Sequence, residues 1–368
     1  MQLHIVGMPH VQHTKEYVSC AYGQKLKKLA IMMSSLPYTV HVYGSEDWDF
    51  DVSGDKVCCI TKKKQHEFFG NNDHKKTFYN ITWGPEEEHW QYFNKNAIKE
   101  IKKRIQPRDI IGTFSGVCHK QIADAFPDHQ FVELGVGYTG VFSKYIIYES
   151  YPWMHFVHGL RDNDNGDFYE TVIPNYWDIS EFPLAKKTKD YYLYVGRIID
   201  RKGYHIAQEV CEKLGKKLIL AGQIDHTFTG YGEYIGTIDA KQRGKLMSEA
   251  IAVFTPTTYL GPFEGTHAEA MLCGTPVITT NFGVYVNTVV NGVNGYRCDT
   301  FGEFLDAAKR VQIWKSSRRA GIQKWAQENF GMDEVAKKYD AYFQRLSNLY
   351  DKGWYDEQSW LDVPKSSV

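Results

Sequence analysis

The residues best suited to chemistry lie in two loops of the second half of the chain. One opens the stretch Gly261-Pro-Phe-Glu-Gly-Thr-His-Ala-Glu269-Ala-Met-Leu-Cys-Gly-Thr-Pro276-Val-Ile-Thr-Thr, which reads as a Pro/Gly loop, a helix start, a turn and a buried strand. A helix that opens on such a loop directs unpaired N–H groups outward and carries partial positive charge there. The backbone from Glu264 through Gly265 and Thr266 to His267 is therefore expected to face an anion or sugar hydroxyls, with Glu269 in the first turns behind it. The other loop, Gly196-Arg197-Ile-Ile-Asp-Arg-Lys202-Gly203, follows the apolar run Tyr191-Tyr-Leu-Tyr-Val195. Two fixed cations, Arg197 and Lys202, beside an anion-seeking helix start suit a diphosphate, and a carboxylate beside them suits the vicinal hydroxyls of a ribose.

These loops need a scaffold, and the pattern of apolar runs supplies one. Leu3–Val6, Thr39–Tyr43, Val57–Ile60, Ile110–Thr113, Phe131–Leu134 and Tyr145–Tyr148 read as strands, with helical spacing over Tyr17–Ser35 and Asn94–Ile105. Residues 62–76 read as an exposed, lysine-rich excursion. Pro174-Asn175 marks a boundary, after which strands near 191–195, 217–220, 233–236, 251–254 and 276–279 alternate with helices at 203–214, 240–250 and 265–273. Helices at 302–311, 315–329 and 332–350 complete the chain. Alternation of this kind predicts an α/β fold of two doubly wound parallel sheets.

Bulk properties narrow the function classes. The chain has 368 residues, enough for two ordinary domains, and 43 Lys and Arg against 44 Asp and Glu give a net charge of −1. Nothing in that balance draws the chain to nucleic acid or an anionic membrane. No run has the length of a transmembrane helix, and the opening Met-Gln-Leu-His-Ile-Val-Gly reads as a strand rather than a leader. Seven cysteines without metal-finger spacing suit a reducing, cytoplasmic setting.

The second half resembles the family 4 (GT4) retaining glycosyltransferases. The matching pieces are Val172-Ile-Pro-Asn175 with Asp178 and Phe182, Val195–Gly203, Tyr234-Ile-Gly-Thr-Ile-Asp239, Pro256–Ala270, Cys273–Ile278 and Asn291–Cys298, in order over about 130 residues. The resemblance implies the GT-B fold, two Rossmann-like domains facing across a cleft: an acceptor-side domain over 1–175, a nucleotide-sugar domain over 176–335, and terminal helices over 336–368 that return to the first domain, with Gly353–Asp356 and Trp360 as candidate anchors. It implies that Arg197 and Lys202 bind the donor diphosphate and that Glu269 holds the ribose. Gly196, Ile235, Gly236, Thr237, Glu264, Gly265, Thr266 and His267, with Pro9 and His10 of the first domain, are the remaining donor contacts so implied. The co-substrate is a nucleotide-diphosphate sugar, UDP or GDP being expected, with neither metal nor other cofactor. One departure stands out: the family's first Glu of a pair would fall at position 261, where this chain has Gly261, and a Glu appears instead at 264, where the family has Gly.

Other loops are candidates for the acceptor or the cleft. His13, Thr14 and Lys15 follow the first strand, and His119, Gly137, Tyr138 and His155 lie near other predicted strand ends. Gly135-Val-Gly-Tyr-Thr-Gly140 has the spacing of a dinucleotide fingerprint, but a strand rather than a helix is expected after it, so NAD binding is not indicated. The acceptor stays open between a glycan, a small molecule and hydroxymethylated DNA, the last disfavoured by charge, and peripheral membrane contact also stays open. A sugar-nucleotide or glycan binder without catalysis is the alternative that Gly261 raises.

Overall fold

A computed structural model describes residues 1–14, 17, 20–71, 81–165 and 169–351. Lys15 and the candidate anchors Gly353–Asp356 and Trp360 lie outside the described residues. The elements run β1 (Gln2–Val6), α1 (Ala21–Ser34), β2 (Thr39–Ser45), β3 (Lys56–Ile60), α2 (Lys62–Phe69), α3 (Glu88–Ile101), β4 (Ile110–Thr113), α4 (Lys120–Ala125), β5 (Gln130–Val136), β6 (Tyr145–Tyr148), α5 (Tyr151–Leu160) and β7 (Glu170–Val172). They continue with β8 (Tyr192–Val195), α6 (Tyr204–Leu214), β9 (Leu218–Ala221), β10 (Glu233–Tyr234), α7 (Ala240–Glu249), β11 (Val253–Thr255), α8 (Thr266–Leu272), β12 (Val277–Thr280), α9 (Tyr285–Thr288), β13 (Gly295–Cys298), α10 (Phe301–Gln312), α11 (Ser316–Phe330) and α12 (Met332–Asp351).

The chain forms two compact units, one of Met1–Tyr148, Asp164–Ile173 and Val335–Val368, the other of Glu149–Asn163 and Pro174–Glu334. The first carries a seven-stranded sheet in the order β3-β2-β1-β4-β5-β6-β7, and the second a six-stranded sheet in the order β10-β9-β8-β11-β12-β13. Every pairing is parallel. Both are doubly wound: chain order runs outward in opposite directions from β1/β4 and from β8/β11. Strands such as β4, β5 and β9 are buried along their whole length, as parallel strands covered on both faces must be.

Helix boundaries follow local chemistry. Reciprocal capping boxes open α7 (Asp239 with Gln242) and α10 (Thr300 with Glu303). Left-handed glycines bracket α6, Gly203 at φ 71° and Gly215 at φ 59°. Buried His89, Trp90, Phe93, Ala97 and Ile101 form the inward stripe of α3, which therefore starts earlier than the expected Asn94. The lysine-rich excursion begins as a true helix, α2, because Thr61 caps it and Gln65 turns inward to donate to the Pro9 carbonyl at 2.7 Å. Helix α5 was not expected, and the segment Glu149–Asn163 that contains it joins the second unit rather than the first. Its cap residue Ser150 donates to the Pro262 carbonyl at 2.6 Å, a tie no local pattern reveals. No helix among the described residues is long and apolar enough to cross a membrane.

Candidate functional site

In an open doubly wound sheet, ligands meet the loops that leave the carboxyl ends of the strands where the winding reverses. In the second unit that point lies between β8 and β11. The loop Gly196–Gly203 leaves β8, and the loop Pro256–Gly265 leaves β11. The two loops touch through their backbones. The Thr258 amide donates to the Arg201 carbonyl at 3.0 Å, and a Cβ on Gly203 would collide with the Pro256 carbonyl, whose carbon would stand 2.9 Å away. With φ at 71° as well, position 203 admits glycine alone without strain.

The charged groups expected at a diphosphate site converge here. Arg197 is exposed, its carbonyl accepting from the Tyr194 hydroxyl at 2.9 Å. The Lys202 ammonium pairs with the Glu264 carboxylate, and the ring of Tyr259 lies 5.0 Å from that ammonium and 4.3 Å from the exposed Arg201 guanidinium. Gly236 is brought to the same place: its carbonyl accepts from the Gly222 amide at 2.9 Å, and Gly222 lies against the Gly196 carbonyl. The exposed Ile235 and Thr237 flank it.

Glu269 stands on α8 with its carboxylate oriented from two sides. The Nε of Arg243, on α7, lies 2.8 Å from one oxygen, and Trp177 Nε1 donates to the other at 3.3 Å. Trp177 also packs beside Gly265, within 3.1 Å of where a Cβ would be. Sequence reasoning missed Arg243 and Trp177. For Trp177 a signal existed, since it immediately precedes Asp178 of the matching pieces; for Arg243 there was none beyond a cation on a helix. Thr266 is the first residue of α8. His267 is turned inward: fully buried, it donates through Nδ1 to the Glu264 carbonyl at 2.6 Å and packs against Phe263 and Tyr285. Burial lowers its pKa to about 4, so the ring is a neutral support for the Glu264 turn.

The first unit gathers a second set at its own reversal, between β1 and β4. His10 and His13, from the loop after β1, are buried, and among the described residues none of their ring nitrogens has a hydrogen-bond partner. The Thr14, Thr113 and Ser115 hydroxyls are in the same condition. His13 stacks on Trp48 at 4.2 Å, while His10 lies edge-on to Trp83 at 5.8 Å. His119 donates through Nδ1 to the Asn94 side-chain oxygen at 2.7 Å and neighbours the Gly7 backbone. Burial lowers all three imidazoles to about 3, with His89 adding to the effect at His10 and Lys27 and His10 adding to it at His13. Neutral imidazoles of this kind can donate to or accept from uncharged hydroxyls, and an unsatisfied buried polar atom favours a ligand that supplies the missing bond. Pro9 is buried, with its carbonyl held by Gln65.

The remaining candidates fall in two places. No helix follows Gly140 before β6, which agrees with setting the dinucleotide fingerprint aside. The Gly135–Gly140 loop instead leans on the turn before His119: the Val117 amide donates to the Gly140 carbonyl at 2.9 Å. Gly137 lies in that loop half-buried, and the Tyr138 hydroxyl is already engaged with buried Glu133 at 2.9 Å. His155 is exposed on α5 beside Tyr151, in the second unit, and so does not join the histidines of the first.

Comparison with known proteins bears on this geometry. Residues 175–328 match the family described as Glycosyl transferases group 1. This part of the chain is similar to the group 1 glycosyltransferases. It contains Arg197, Lys202, Arg243 and Glu269, and the resemblance read from 172–298 is thereby borne out at the level of the family. Glycogen synthase of Mycobacterium tuberculosis is 31% identical over 148 residues, 35% of this chain and 36% of that protein. The chain thus spans little more than a third of that relative. Solved structures match nearly the whole chain in fold. Sucrose-phosphate synthase from Thermosynechococcus elongatus has a TM-score of 0.67 at 16% identity, covering 94% of this chain and 98% of its own. Anabaena HepE, solved with UDP-glucose, has a TM-score of 0.61 at 16% identity, covering 95% of this chain and all of its own. The two doubly wound units of this chain are those of the GT-B fold.

Proposed function

We propose that this protein transfers a sugar, with retention of configuration, from a nucleotide-diphosphate sugar to an uncharged acceptor. The observation that carries the reading is the convergence of Arg197, Lys202 and Glu269 on the loops at the β8/β11 reversal of the second unit. As the glycosidic bond breaks, negative charge grows on the departing diphosphate. Fixed cations stabilise that charge most when they are held in place beforehand, and the pinned Gly196–Gly203 loop holds these two. Glu269, oriented by Arg243 and Trp177, is suited to accept from the two ribose hydroxyls. The binding of UDP-glucose by Anabaena HepE supports a uridine donor, with guanosine the other base to test.

For the acceptor we favour a glycan or a small polyhydroxylated molecule. The histidines and hydroxyls at the β1/β4 reversal form a neutral, hydrogen-bonding set, and with a net charge of −1 the chain offers no surplus of cations for a DNA backbone. All seven cysteines are free thiols, six of them buried, which supports a reducing compartment.

The test is transfer, and hydrolysis, of UDP- and GDP-sugars by the wild type and by Arg197→Ala and Lys202→Ala. Each variant should lose about 100-fold or more in turnover, the scale of removing a preorganised charge-stabilising group. Full activity in both would sink the assignment. The second reading, donor binding without catalysis, is motivated by the Lys202–Glu264 pair, and predicts nucleotide binding with neither transfer nor hydrolysis.

A further inference from the structure

Glu264 is placed in a way its surroundings must enforce. It is a non-glycine residue in the left-handed region, at φ 58°, which an L side chain rarely adopts. Three contacts hold the turn there: His267 donates to its carbonyl, Ser150 ties the neighbouring Pro262 carbonyl, and its carboxylate pairs with Lys202. The pair is largely shielded, with side-chain exposures of 18% for Lys202 and 10% for Glu264. Its carboxylate lies over the bare face of Gly261. A Cβ there would overlap Oε1 and stand 2.7 Å from Cδ and 3.0 Å from Cγ. Gly261 and Glu264 are therefore one device: the carboxylate can reach Lys202 because position 261 has no side chain.

We propose that Glu264 is a built-in counter-ion of Lys202, which a donor phosphate must displace in order to bind. The inference rests on the reading of Lys202 as a phosphate ligand. A shielded ammonium stripped of its partner is strongly disfavoured, so the empty site keeps one. A phosphate oxygen brought to the same ammonium meets the carboxylate as a like charge at close range, where water screens little. The diphosphate carries more charge than the carboxylate and has exposed Arg197 as a second partner, so it can win the exchange. After transfer, the returning carboxylate helps to expel the nucleotide. Glu264 therefore sets how tightly the nucleotide is held, and the reversed residue types at 261 and 264 are what build it in.

Calorimetric titration of the full chain with UDP, GDP and ADP tests this. Glu264→Gln keeps the shape and removes the charge, and should bind its preferred diphosphate about tenfold more tightly than the wild type or better. Gly261→Ala evicts the carboxylate by bulk without changing any charge, and should also tighten binding, the reverse of what general damage to a site does. In a Lys202→Ala background, Glu264→Gln should lose its benefit, since the two residues act as a pair. Measurable wild-type binding that Glu264→Gln leaves unchanged or weakens overturns the exchange and leaves the diphosphate reading standing. No binding of any of the three nucleotides by the wild type or either variant takes down both.

Discussion

A carboxylate recognises a vicinal diol only if both oxygens are held where the hydroxyls arrive. At Glu269 that holding comes from Arg243, which reaches both oxygens, and from Trp177 on Oε1; Oε2, with Arg243 as its donor, keeps a lone pair for a ligand. The sharpest check uses nucleotides that differ by one hydroxyl. Wild type should prefer UDP to its 2′-deoxy analogue, and Glu269→Ala should bring the two affinities to within about threefold of each other, since a hydrogen bond to a charged group is worth roughly 1.5–3 kcal/mol. A preference that survives in Glu269→Ala would move ribose recognition elsewhere. At this scale the sequence was informative where a residue type carried its own chemistry: Arg197, Lys202 and Glu269 were readable, and so was the anomaly of Gly261 with Glu264. It was silent on Arg243, whose partner is 26 residues away in the chain. It was silent too on the His267 side chain, whose ring turns into the core from the first turn of α8.

At the scale of elements, the loops are only as well placed as the helices behind them. Helix α8, which carries Glu269, packs against α11, and Arg319 of α11 locks the region. Buried at 4% exposure, its guanidinium donates to the carbonyls of Ser248 and Ala250, at the end of α7, at 2.7 and 3.0 Å, and to the Thr275 hydroxyl at 2.5 Å. Arg319→Ala strands three acceptors in the core, and should lower unfolding free energy by about 3 kcal/mol in chemical denaturation. Arg319→Lys should recover less than half of that loss, because an ammonium cannot reproduce the planar fork. A loss below about 0.5 kcal/mol for Arg319→Ala would mean that water replaces the side chain there. Elements were legible where burial is continuous: β4 and β9 are short apolar runs of the kind that a covered parallel sheet explains. Strand β13 was not read as one, because half-buried Tyr296 and Arg297 break its apolar pattern. Helices α4 and α5 lack a long stripe, and their placement depends on contacts far away in the chain.

At the scale of the molecule, the two units differ in what acid should do to them. His10, His13 and His119 in the first unit have pKa values lowered to about 3, chiefly by burial, against one such imidazole, His267 at about 4, in the second. His41 and His89 of the first unit are also lowered, burial again being the largest cause. The unfolded chain protonates each of these rings below about 6.5, while the folded chain leaves them neutral, so the unfolded state binds more protons. Stability therefore rises with pH through this window, and falls as pH drops from about 6.5 toward the folded values. Three fully neutral rings give a slope of about 4 kcal/mol per pH unit for the first unit, and one ring about 1.4 for the second. Hydrogen exchange read by mass spectrometry at pH 7 and pH 5, corrected for the intrinsic pH dependence of exchange, resolves the two units within one chain. Protection in β1, β4 and β5 should fall well before protection in β8, β11 and β12. Equal losses would show that the histidines of the first unit are not held neutral. A donor-free, acceptor-like polyol that restores protection to the first unit alone at pH 5 would show that their unmade hydrogen bonds serve a ligand.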